Sequence, residues 1–141
     1  MLRVVLDTDV VLSAFISPEG ASRQLLLDAL DGRFRLLLTT SLLLEYDAVL
    51  RRRQHLDRAG ATEGEVEELL DALAGVCVPV VFDFHWRPTG AHADDELVVE
   101  TAINGNADAI ATFNLKHMRD AAAYFGIHAQ RPGPLLRRIR L

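Results

Sequence analysis

At 141 residues, half of them hydrophobic and a quarter charged, the chain has the composition of one globular domain with an ordinary core. No apolar run approaches the roughly 18–20 residues that span a bilayer; Asp7 and Asp9 fall where the apolar stretch of a signal peptide would lie; and with Cys77 as its single cysteine the chain forms no internal disulfide, so a cytoplasmic compartment with no membrane contact is expected. The net charge of −5 argues against a protein that coats nucleic acid by bulk electrostatics, but not against a nuclease whose acids gather in one pocket.

The predicted elements alternate strand and helix. Arg3–Asp7 is a greasy β-type run that stops at an acid, as a strand buried on both faces does. Val10–Ile16 begins a helix that breaks near Ser17-Pro18-Glu19-Gly20. Ser22–Leu30 is amphipathic, with Leu25, Leu26 and Leu30 on one stripe and Gly32 as its stop. Phe34–Thr39 is a second buried strand. Ser41–Arg53 is a strong helix capped by Thr40 or Ser41, and His55–Ala61 is a polar connection. Thr62 caps a helix over Glu65–Ala74, whose stripe is Val66, Leu69, Leu70 and Leu73. Val76–Phe82 is a third strand, placed at an edge by Pro79. It includes Cys77, read there as a small buried hydrophobe.

His85–Ala93 reads as a loop, Asp94–Asn104 as a helix and Ala109–Thr112 as a fourth strand. Met118–Phe125 is a helix, Ile127–Gln130 a fifth strand and Pro134–Ile139 a last short helix. Strands separated by helices imply right-handed βαβ units. The expected fold is therefore α/β, a three-layer α/β/α sandwich around a central parallel sheet of four to five strands. Residues 1–141 form one domain of it. Two basic clusters, Arg51-Arg52-Arg53 with Arg58 and Arg137-Arg138-Arg140, suit solvated helix ends, where cations favour the helix dipole.

The acids form the informative constellation. Asp7 stands at the carboxyl end of the first strand, where open α/β sheets bind ligands. The same position is also that of an N-cap. Glu45 borders the apolar stripe of Leu42, Leu43, Tyr46, Val49 and Leu50, and a carboxylate there is costly unless paired. Asp94-Asp95-Glu96 opens a helix and Glu100 follows. Asp94 and Glu96 suit the dipole, whereas Asp95 leads the stripe of Val98, Val99 and Ala102 and should point inward. Thr112-Phe113-Asn114 carries a hydroxyl and an amide off the fourth strand. Carboxylates brought together at one sheet edge repel one another without a cation. Oxygen donors of this kind suit Mg²⁺ or Mn²⁺. His85 and His92 share a loop without a paired motif and do not add a zinc site.

Val4-Val5-Leu6-Asp7-Thr8-Asp9-Val10, Glu45 about forty residues on, Asp95 leading a helix and Thr112-Phe113-Asn114 together resemble the PIN-domain family of metal-dependent ribonucleases, many of them toxins of bacterial toxin–antitoxin pairs. The resemblance covers essentially the whole chain. It implies hydrolysis of single-stranded RNA, with Asp7, Glu45 and Asp95 as ligands of one or two Mg²⁺ or Mn²⁺ ions. Asn114 would complete the catalytic set, and Thr112 and Asp9 would support it. It also implies an antitoxin partner and homo-oligomerisation. Arg51, Arg52 and Arg53 would hold the RNA backbone without reading its sequence. The chain departs from the family's pattern at Asp9, where Asn is usual; at Asn114, where many members carry Asp; and at His117, where some carry an acid. A fourth ligand is thus left open.

Two other readings start from the same residues. Asp7-Thr8-Asp9-Val10-Val11 also resembles the opening motif of haloacid-dehalogenase-type phosphatases, with Asp7 as nucleophile and Thr39 or Thr40 as the hydroxyl motif. That reading lacks acids after a later strand and gives Glu45 no role. The departures at Asp9 and Asn114 motivate the second, a PIN-like fold with a weakened site that serves as a binding module.

Overall fold

The structure is a computed structural model that describes residues 1–81 and 96–141. The expected loop His85–Ala93, with His85 and His92, and the acids Asp94 and Asp95 lie outside the described residues. The chain runs β1 (Arg3–Leu6), α1 (Thr8–Ile16), α2 (Ala21–Leu30), β2 (Arg35–Leu38), α3 (Thr40–Leu50), α4 (Arg53–Ala59), α5 (Glu63–Val76) and β3 (Val78–Pro79). It continues with α6 (Glu96–Asn104), β4 (Ala109–Ala111), α7 (Leu115–Tyr124), β5 (His128–Gln130) and α8 (Pro132–Ile139).

The strands form one parallel sheet in the order β3-β2-β1-β4-β5. This is the α/β fold expected from the alternation of elements. β1 lies at the centre, and Val4, Val5 and Leu6 are at most 1% exposed, each contributing about 1.5–3 kcal/mol by leaving water. From β1 the chain winds outward through β2 to β3, then returns to the other side of β1 as β4. The direction of winding reverses between β1 and β4, and in such sheets the crevice at that point takes the ligand. α6 packs on β1, β2 and β4 and also meets α3, while α1, α2, α3 and α5 pack on one another. Right-handed crossovers place these two groups of helices on opposite faces.

Several local expectations are corrected. Thr39, not Thr40 or Ser41, caps α3, its Oγ1 accepting the Leu42 N–H at 3.1 Å. The expected helix Ser41–Arg53 stops at Leu50, because Arg52 takes an extended backbone and caps a new helix. That helix, α4, replaces the expected polar connection. It buries no residue and ends on Gly60 in the left-handed region, at φ 63°. Its missing apolar stripe hid it, although Gly60 is the usual helix-stopping glycine. β3 starts later than expected because α5 continues through Val76, and Phe82, the last residue of the expected strand, lies outside the described residues. Cys77, the residue after α5, is only half-buried. Pro79 does sit on the edge strand. The expected capping of α5 is present as a reciprocal pair between Thr62 and Glu65.

The C-terminal cluster is not a uniformly solvated helix end. Arg140 grips Asp28, a carboxylate only 2% exposed on α2, with Nε to Oδ2 at 3.0 Å and Nη2 to Oδ1 at 2.9 Å. This two-pronged bond pins the end of α8 to α2.

Candidate active site

Asp7 is the residue before α1, in the position of an N-cap, yet its side chain makes no capping bond. The carboxylate turns instead toward β4. Its Oδ2 accepts the Thr112 hydroxyl at 2.7 Å, and Thr112 Oγ1 accepts the Asn114 N–H at 2.9 Å. The backbone N–H of Asp7 donates to Ala111 O at 2.9 Å, carrying the β1–β4 ladder one residue past the strands. Asp7 and Thr112 are buried, at 6% and 0% exposure. The capping alternative is thereby resolved. The acid is held by a hydroxyl at the winding reversal and does not serve the helix terminus.

Glu45 reaches the same place from α3. Thr8 Oγ1 donates to Glu45 Oε2, and the neighbouring Tyr46 hydroxyl donates to the Leu6 carbonyl. Consecutive residues of α3 thus grip the end of β1 and the start of α1. Tyr46 is fully buried, and burial first, then the charges of Asp7 and Glu45, raise its phenol well above the ordinary tyrosine range. The hydroxyl therefore stays neutral and keeps donating. Sequence reading placed Tyr46 in the apolar stripe and gave Thr8 no role. The one available signal for Tyr46 was that a buried phenol brings a hydroxyl needing a partner.

Asp7, Thr8, Asp9, Glu45, Arg52 and Asn114 line one open cleft of about 300 Å³. Asp9 is tied down on one side, where Oδ2 accepts the Phe113 N–H at 3.1 Å. The structure thus brings together Asp7, Glu45, Asn114, Asp9 and Thr112, all named from sequence, while Asp95 lies outside the described residues. The arginine cluster is divided. Arg52 lines the cleft. Arg51 bonds Asp47 through Nε at 2.5 Å and joins Arg53 in a different hollow, with Asp57 and Glu63. Thr39, one of the two hydroxyls a phosphatase reading could use beside Thr40, caps α3 and meets Thr101 Oγ1 at 3.2 Å.

Among the described residues no group of three or more His, Cys, Asp or Glu side chains stands close enough to hold a metal ion. Apart from Val49 and Arg52, the side chains that line the cleft are nonetheless oxygen donors: the carboxylates of Asp7, Asp9 and Glu45, the Thr8 hydroxyl and the Asn114 amide oxygen. That donor set fits a hard divalent cation and does not fit zinc.

A family model described as PIN domain matches residues 3–116, most of the chain. No curated protein matches it.

Proposed function

The chain belongs to the PIN-domain family, and on that premise we propose that it is a divalent-metal-dependent endoribonuclease of single-stranded RNA. PIN domains are typically nucleases and generally use divalent metal ions. The observation that carries the reading here is the buried Asp7 carboxylate, spared from helix capping and held by Thr112 in the cleft that Glu45 shares.

In this reading Asp7, Glu45 and Asp95 hold Mg²⁺ or Mn²⁺, with the Asn114 amide oxygen at the rim. A cation bound there supplies Lewis acidity, making water more acidic and neutralising charge on the phosphate. The chain's own part is positioning. Thr112 fixes the Asp7 carboxylate, Thr8 fixes that of Glu45, and Tyr46 holds α3 against β1 without adding charge. Arg52, at the cleft, contacts the RNA backbone irrespective of sequence.

We extend the same reading to the biological role. The chain is a cytoplasmic toxin, one domain over residues 1–141, paired with an antitoxin protein and assembled as a homo-oligomer. The likeness of its motifs to such toxins supports this, and a neighbouring gene for a small DNA-binding protein would be its mark.

The test is cleavage of labelled single-stranded RNA by the purified chain in Mn²⁺, in Mg²⁺ and in chelator. Cleavage should need the metal. Asp7→Asn, which keeps the shape and can still accept from Thr112, should lower the rate at least a hundredfold without lowering the melting temperature. Undiminished cleavage by that variant would sink the mechanism. Absence of specific Mn²⁺ binding together with absence of cleavage would favour the binding-module reading.

A further inference from the structure

A second hollow adjoins the carboxylate cleft and takes no part in the chemistry above. Asp9 stands between the two and lines both. The second hollow, about 380 Å³, is lined by Leu12 and Ser13 of α1, Ser17, Arg58 in the last turn of α4, and Phe113. β4 is wholly buried, and so is Thr112 after it, yet Phe113 leaves 39% of its surface in solvent. An aromatic ring so close to the centre of the sheet loses the stabilisation that burial would bring. Its exposure is not slackness of the chain. The Phe113 N–H is bonded to Asp9 Oδ2 at 3.1 Å, and the next N–H, of Asn114, to Thr112 Oγ1 at 2.9 Å. The turn after β4 is therefore fixed at two successive amides and presents the ring to the hollow.

A fixed, exposed aromatic face beside a guanidinium and two hydroxyls is a combination suited to an unpaired nucleobase. The ring supplies a stacking platform that any base can use, the arginine meets a backbone phosphate, and serine hydroxyls reach a base edge. A base inside a duplex is stacked on its neighbours and does not offer its face. We infer that the hollow between Phe113 and Arg58 is a nucleotide subsite next to the scissile phosphate, where one base of single-stranded RNA stacks on Phe113 while Arg58 holds its phosphate. Asp9, in this arrangement, is a positioning residue that orients Phe113 through its backbone. The inference rests on the ribonuclease reading above and deepens it.

The test uses the full chain carrying Asp7→Asn, so that bound RNA is not cut, and a short single-stranded RNA in which an abasic nucleotide is placed at each position in turn. Phe113→Leu should weaken binding of the intact RNA about tenfold, within the range for loss of one stacked base. Phe113→Tyr, which keeps the aromatic face, should restore it. One abasic position should cost the parent about the same factor and cost the Phe113→Leu variant almost nothing more. This coupling separates stacking from a general loss of structure, which melting curves of both variants check directly. Equal affinities of Phe113→Leu and its parent, or abasic losses that simply add to that of Phe113→Leu, would overturn the subsite. If the unmutated chain cuts RNA while the abasic scan is flat, the subsite alone falls. If the unmutated chain neither binds nor cuts RNA, the ribonuclease reading falls and takes the subsite with it.

Discussion

Glu45 and Tyr46 are neighbours on α3 and take different parts at the carboxyl end of β1. Glu45 brings a charge to the cleft, and Tyr46 brings a neutral donor that fastens the helix to the Leu6 carbonyl. Two consequences follow for Tyr46→Phe. Near neutral pH it should cost about 1 kcal/mol, the net worth of one intramolecular hydrogen bond. At alkaline pH the order changes. The folded phenol is raised well above its ordinary value by burial and by the nearby Asp7 and Glu45, whereas the unfolded one ionises near pH 10. The stabilising preference for the neutral form is thus complete below about pH 10 and is lost progressively above it, as the unfolded state alone releases its proton. Wild-type melting temperatures should fall above that pH more steeply than those of Tyr46→Phe. Parallel curves for the two proteins would contradict the burial argument.

At the level of the elements, the end of α6 is built tightly into the sheet. A β-carbon on Gly105, just past that helix, would lie 2.9 Å from Leu37 Cδ1 on β2, 2.9 Å from Val80 Cγ2 after β3 and 3.0 Å from the Thr101 carbonyl. The Gly105 carbonyl also accepts from the Arg3 guanidinium, at 2.8 Å from Nη2 and 3.1 Å from Nε. Gly105→Ala should therefore destabilise by about 1–3 kcal/mol, as overpacking does, seen as a melting temperature several degrees lower. Gly75 on α5 is the contrast, since nothing lies within 4 Å of a β-carbon there. Gly75→Ala should stabilise by roughly 0.5–1 kcal/mol, because helical alanine loses less chain entropy than glycine. Equal effects of the two changes would mean that the close approach at Gly105 is relieved by small shifts.

For the whole molecule the question is how a chain of net charge −5 would hold a polyanion. The bulk field opposes binding, so attraction must come from individual cations placed beside the cleft. Arg52 is so placed, whereas Arg51 is tied to Asp47 and Arg53 lines another hollow. Arg52→Gln should lower the slope of log affinity for RNA against log salt by about 1, the signature of one lost phosphate contact. Arg53→Gln should lower it less. Binding titrations from low to high salt measure both, and equal slopes for the two variants would remove Arg52 from the interface.

The fold class was legible in the chain itself, because buried parallel strands leave continuous apolar runs and helices leave stripes at their own period. Val4-Val5-Leu6 and the stripe of Val66, Leu69, Leu70 and Leu73 are of this kind, and the structure buries all of them except Leu69, which is partly buried. Asp7 and Glu45 were legible as candidates, because an acid at a strand end or beside an apolar stripe is costly without a purpose. α4 was not, since a seven-residue helix that buries nothing leaves no periodic trace. Nor could sequence spacing divide Arg51, Arg52 and Arg53, which part company because the chain turns between α3 and α4. Whether Asp7 caps its helix or faces the cleft was equally beyond the sequence. That depends on a hydroxyl 105 residues away, Thr112, being carried beside it by the pairing of β1 with β4. Local chemistry, read along the chain, named the acids and the sheet. Only the winding of that sheet, which sets distant residues side by side, decided what each of them touches.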